Sequence, residues 1–214
     1  MPRPRTHDPD AVLDAAESLA VRSGPAAVTI RAVAAATGVS NGAIYHTFGS
    51  RAELLGRSWL RAARRYLAMQ TELVEAHLGA DASASDVIAA VIAVAETPVA
   101  FAEQYPDSGK LLLTVSRGEL LGDELPAEVA AELAGTDDTL VRLMVRLARA
   151  LWGRGDRAAV DVITTCVVDL PTAILLRRDR LAKPIARQHL RAAVRAVLAI
   201  GPPDRPSTPP KGTP

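Results

Sequence analysis

Three short segments with tight joints between them constrain this chain more than any other feature. Asp8 is placed to cap a helix, Pro9 suits its first position, and Asp10 favours the positive end of the helix dipole. Val12, Ala15, Ala16, Leu19 and Ala20 then recur at helical spacing until Gly24-Pro25. Thr29 caps a second helix with Ile30, Val33 and Ala34 on one face, and Gly38 stops it. Ser40 caps a third, which runs to about Phe48. Ser50-Arg51-Ala52-Glu53 has the form of a capping box and opens a longer helix, to about Leu78. Only Gly38-Val39 separates the second helix from the cap of the third, the spacing of a helix–turn–helix. Ala34 is small enough for close approach, Gly38 accepts a positive φ, and Val39 and Ile44 plug the angle between the helices.

The rest of the chain continues as helix. Apolar residues make up 49% of the 214 but aromatics only 3%, so the core must be built from Ala, Val and Leu. No run alternates polar and β-branched residues as a strand would, and the expected class is all-α. Residues 86–95 read as a buried helix that Pro98 kinks or ends. Residues 109–121 suggest another short helix, and 126–152 a helix pair or one broken helix. Residues 158–176 are apolar almost all round and need cover on more than one side. Pro184 starts the last helix, with Ala186, Leu190, Ala193, Val197 and Ile200 on one face and Arg187, Arg191 and Arg195 on another. The tail 201–214 holds six prolines and is expected to be disordered. The implied organisation is a head at 1–55, a larger helical body at 56–200 and the tail.

Several function classes lose support. Cys166 is the only cysteine, so an internal disulfide and a multi-cysteine metal site are excluded. No HExxH, GxSxG or phosphate-loop pattern is present and the four histidines are scattered, so neither an enzyme, a cofactor nor a metal is expected. Arg154-Gly155-Asp156 reads as a turn. The N-terminus lacks an apolar signal core and no apolar run reaches about 18 residues. The expectation is a cytoplasmic protein with no membrane span.

Charge and the third helix point to nucleic acid. Residues 1–65 hold nine Arg against five Asp and Glu, while the whole chain nets only +1. In a helix–turn–helix the second of the two helices enters the major groove by its N-terminal residues. Those residues here are Asn41, Gly42 and Ala43. Gly42 costs helix propensity but lets backbone approach DNA; Asn41 can read a base edge and Ala43 can meet a thymine methyl. Tyr45 can donate to a phosphate, with His46 and Thr47 as nearby polar contacts. Thr29 and Arg31 open the preceding helix, whose N-terminus favours a phosphate; Arg31 can reach a phosphate or a guanine, and Arg51 is a further phosphate clamp.

Residues 10–56 resemble the TetR family of bacterial transcription regulators. The resemblance rests on "VLDAAESLAVRSGPAAVTIRAVAAATGVS" and "GAIYHTFGSRAELL", above all on tyrosine, phenylalanine three residues later, Gly-Ser-Arg and a capping Glu. It implies an all-α homodimer that binds an inverted-repeat operator through Thr29, Arg31, Ser40, Asn41, Gly42, Ala43, Tyr45, His46, Thr47 and Arg51. The family often has Lys where Asn41 and Arg51 stand, so the operator cannot be borrowed from relatives. The resemblance also implies a small-molecule effector for the larger domain. An Ala/Leu/Val-rich core suggests an apolar one, with Phe101, Tyr105, Met144, Trp152, Cys166 and Asp169 as candidates for the pocket wall. Asp169 is the notable member, because an acid within an apolar helix is costly unless paired. Helices at 158–178 and 184–200 are the expected dimerisation elements, two from each chain. The competing reading is an architectural or protein-partner DNA-binding role without an inducer.

Overall fold

The computed structural model describes residues 8–79, 81–115, 118, 125–177 and 179–204. Ten helices follow one another among them: α1 (Pro9–Ser23), α2 (Ile30–Thr37), α3 (Asn41–Phe48), α4 (Arg51–His77), α5 (Ala84–Ala95), α6 (Thr97–Gln104), α7 (Pro106–Thr114), α8 (Ala127–Trp152), α9 (Arg157–Leu176) and α10 (Pro184–Ile200). The fold is all-α, with a helix–turn–helix at its N-terminal end and a larger helical part behind it.

The caps act as the side chains dictate. Asp8, Thr29, Ser40 and Ser50 each accept a backbone N–H of the first turn that follows. Asn41-Gly42, a dipeptide common in hairpin turns, here opens α3 because Ser40 Oγ accepts the Ala43 N–H at 3.2 Å. Gly38 sits at φ 72°, the left-handed conformation that closes α2. The box at Ser50 is only half formed: the Glu53 carboxylate takes the Arg57 Nε–H at 2.8 Å instead of turning back. A complete box stands elsewhere, in a stretch that reads as loop by composition, where Ser83 and Asp86 cap α5 reciprocally.

Four helices differ from expectation. α7 begins at Pro106 rather than 109, because proline fits the first helical position; residues 116–117 and 119–121 lie outside the described residues. α8 is one unbroken helix of 26 residues, Gly135 facing open space inside it. On α10 the buried line is Ala186, Leu190, Val194 and Leu198, while Ile200 is 85% exposed. α9 is long and apolar enough to cross a membrane, with a mean hydropathy of 1.8 over a window only 33% buried in the chain. Asp161 and Asp169 break its apolar run without lowering its average enough to matter. Its turns widen to i→i+5 bonding over Thr165–Asp169 and Thr172–Leu176, on either side of Pro171, which has no N–H to give.

Two apolar cores share α4 between them. The first gathers Val12, Ala16, Val33, Ile44, Phe48 and Leu54 from the head, and it extends to Leu111, Val129 and Leu133. The second lies between α5, α8, α9 and α10 around Val91, Leu147, Ile163 and Leu190. Gly56 lies where α4 meets α8. A Cβ there would stand 2.7 Å from Val129 Cγ1, so only glycine lets α4 and α8 approach this far. The tail is described only to Asp204, and Arg154 donates to the Pro203 carbonyl at 2.9 Å.

Candidate nucleic-acid interface and inner cavity

The helix–turn–helix buries one face and leaves the other polar. Ile30, Val33, Val39, Ile44 and Phe48 go inward. Thr29, Arg31, Ser40, Asn41, Gly42, Tyr45, His46, Thr47 and Arg51 are exposed, and Ala43 is half-buried. Tyr45 and His46 are therefore both outside the core, Tyr45 with 55% of its surface free. The first turns of α2 and α3 present backbone N–H groups and the positive ends of two helix dipoles on this face. The hydroxyls of Thr29 and Ser40 accept a backbone N–H and keep their own O–H to donate.

Two predicted contacts have commitments of their own. Arg51 donates through Nε to the Val28 carbonyl at 2.5 Å and through Nη2 to the Pro25 carbonyl at 2.6 Å. It therefore straps the α1–α2 joint, and only its remaining N–H groups are available to a phosphate. Thr47 donates to the Ala43 carbonyl at 3.0 Å, which leaves its hydroxyl as an acceptor outward.

Gly42 is the informative position. A Cβ built on it meets nothing within 4 Å, and its φ lies outside the left-handed range. The fold does not need glycine here, although helix propensity argues against it by about 1 kcal/mol. The room that glycine keeps lies outside the protein.

The six residues suggested for a pocket wall do not gather into one. Phe101 is fully buried, with the Tyr66 ring edge-on at 5.2 Å and the Tyr105 ring tilted at 5.4 Å. Met144 and Cys166 are packed in the second core, and burial pushes the Cys166 thiol up to about 12. Trp152 is half-buried at the end of α8, near Gly201. Asp169 is exposed rather than enclosed, so within the chain it bears no burial cost.

A mainly apolar cavity of about 430 Å³ lies instead between α4, α7, α8 and α9. Trp59, Tyr66, Gln70, Leu140, Pro171 and Thr172 are among its walls. The sequence carried a signal for it: Trp59, Ala63, Tyr66 and Gln70 are spaced 4-3-4 along one face of α4. Burial pushes the Tyr66 phenol well above its ordinary range, so it stays protonated.

A second group missed in the sequence braces the head. Arg61, on α4, pairs with Asp10, Asp14 and Glu17 of α1 at 3.0, 2.6 and 2.7 Å. Glu17 is 2% exposed, and its other oxygen accepts from Ser108 of α7. Arg65 reaches the same Ser108 hydroxyl at 3.3 Å and lies over the Tyr105 ring. Desolvation opposes the charge of Arg61, but its carboxylate partners outweigh that and raise its pKa.

This arrangement is that of a helix–turn–helix DNA-binding regulator. Residues 12–57 match the family model described as bacterial regulatory proteins, tetR family. Solved structures agree over the whole fold. A bacterial regulatory protein in the tetR family from Rhodococcus RHA1 is 22% identical, with 92% of this chain and 98% of that one covered and a TM-score of 0.63. The TetR family transcriptional regulator PfmR from Thermus thermophilus is 21% identical, covering 94% and 100%, with a TM-score of 0.64. The fatty acid degradation regulator FadR from Bacillus halodurans is 14% identical, covering 89% and 98%, with a TM-score of 0.62. At these identities the likeness is one of fold. No curated protein matches the sequence.

Proposed function

We propose that this chain is a ligand-responsive transcriptional regulator, a repressor that binds an inverted-repeat operator as a homodimer and is released by a small molecule. The single observation that carries the DNA reading is Gly42. It opens the exposed first turn of α3 where the fold itself has room for a side chain. Asn41 and Ala43 beside it are the base-reading residues, and Thr29, Arg31, Ser40, Tyr45, His46, Thr47 and the outer edge of Arg51 are the phosphate contacts. A head at 1–55 and an effector and dimerisation body at 56–200 divide this labour in a cytoplasmic, non-catalytic protein.

The dimer reading is supported by apolar surface that the chain leaves uncovered. Val168 on α9 and Ile185 and Ile200 on α10 are 37%, 54% and 85% exposed. Ile185, His189, Ala192, Ala196 and Ala199 share one exposed face of α10 at 4-3-4-3 spacing. Small residues at that spacing suit close helix packing in a four-helix bundle. The opposite side of α10 is held by Arg187 and Arg191, both paired with Glu96 at 3.1 and 2.9 Å. Ligand response is favoured over an inducer-free architectural role by the cavity against α4. That helix runs from the head into both cores, so an occupant that tilts it changes the spacing of two heads.

The test is selection of bound duplexes from a random DNA pool, then salt titration of the winner. An enriched inverted repeat, with binding that falls steeply as salt rises, is expected. No enrichment by the ligand-free homodimer rejects the DNA reading.

A further inference from the structure

Gln70 stands in the wall of the α4 cavity as a buried amide without a match. It is 1% exposed, and its Oε1 has no hydrogen-bond partner among the described residues. An acceptor removed from water and left unpaired destabilises a fold, whereas Leu or Met would fill the same space at no such cost. The cavity beside it, about 430 Å³, falls within the range of about 300–1,000 Å³ usual for small-molecule sites. Its described walls carry no Lys, Arg or His, and their one carboxylate is the exposed Asp137. Tyr66 adds a phenol that stays neutral.

We propose that this cavity takes an uncharged, mainly apolar molecule whose single hydroxyl or N–H group donates to Gln70 Oε1. An anion would lose its water and meet no cation among these walls. A hydrocarbon without a donor would leave Gln70 as it stands. A neutral donor supplies what Gln70 Oε1 lacks, and most of the remaining wall is apolar. The proposal deepens the ligand-responsive reading and rests on it for the biological use of the site, though not for the chemistry of binding.

The test uses three probes of one shape, 4-hexylphenol, 4-hexylanisole and 4-hexylbenzoate, by calorimetry on the full chain at pH 7.5. The phenol should bind at least tenfold more tightly than the anisole, and the benzoate most weakly. In Gln70→Leu the preference for phenol over anisole should vanish, with the anisole bound as well as before or better. Gln70→Met serves the same purpose if the leucine variant does not fold. Equal binding of phenol and anisole by the wild-type chain overturns the proposal. So does tightest binding of the benzoate, a preference that survives loss of the amide, or no binding of any probe up to its solubility limit. Operator affinity is measured in the same samples. Phenol bound with operator affinity unchanged would sink the ligand-responsive reading and leave the cavity chemistry standing.

Discussion

Ser108 on α7 donates its hydroxyl to Glu17 on α1 at 2.5 Å, while Arg61 on α4 holds the other oxygen of the same carboxylate. Three helices thus meet at one buried acid. Hydrogen bonds to charged groups contribute about 1.5–3 kcal/mol. Ser108→Ala is expected to cost an amount in that range, read by urea denaturation. Arg61→Leu should cost more, about 3–5 kcal/mol, because it strands Glu17 as an unpaired buried charge. A Ser108→Ala variant as stable as the parent would mean that water replaces the hydroxyl freely.

Gly42→Ala should separate stability from function. Alanine gains about 1 kcal/mol of helix propensity and meets no neighbour, so the melting temperature should rise. Operator binding should fall tenfold or more, because the added methyl group stands where backbone meets DNA. Unchanged operator affinity would remove Gly42 from the interface.

Gly56→Ala should act in the opposite way. Its Cβ would lie 2.7 Å from Val129 Cγ1 and 3.1 Å from Leu125 Cδ2, so overpacking of about 1–3 kcal/mol is expected. Val129→Ala in the same chain should restore part of that loss. Additive costs in the double variant would show that the two positions do not press on each other.

Cys166 should be silent toward alkylation while the chain is folded. At pH 8 the folded thiol, with its pKa pushed up to about 12, is almost wholly protonated as well as buried. Iodoacetamide should label it more than a hundredfold faster in denaturant. The linkage has a definite sign. Above about pH 8.5 the unfolded thiol ionises, while the folded one keeps its proton. Stability should therefore fall as pH rises from that point toward 12, a slope that Cys166→Ala reduces.

Ala196→Glu places a charge on the exposed face of α10 without touching the core. Light scattering should show a monomer at micromolar concentration, with helix content unchanged. A dimer that persists would move the interface elsewhere.

Much of the head was legible because its signals are local. Asp8, Thr29, Ser40 and Ser50 cap through their own side chains, and Gly38 closes α2 by its own conformation. The cavity and the Glu17 cluster were not, because each is assembled from distant parts. Glu17 and Ser108 are 91 residues apart. Gln70 looks like one more polar residue on a long helix until distant segments gather around the cavity beside it. Asp169 sits in an apolar neighbourhood in sequence, yet in the single chain its face is exposed. On α10 the apolar stripe of the sequence holds for Ala186 and Leu190, but the buried line then turns to Val194 and Leu198, leaving Ala193 and Val197 half-buried and Ile200 open.

The head does not own its core. Leu111 and Val129 close over the same cluster as Ile44 and Phe48, and each belongs to a helix far along the chain. A chimera that exchanges residues up to about 55 between two such proteins would therefore swap half of a packed surface. To carry a DNA specificity intact, the transplanted piece has to include α7 and the first turns of α8, or those positions have to be matched in the recipient.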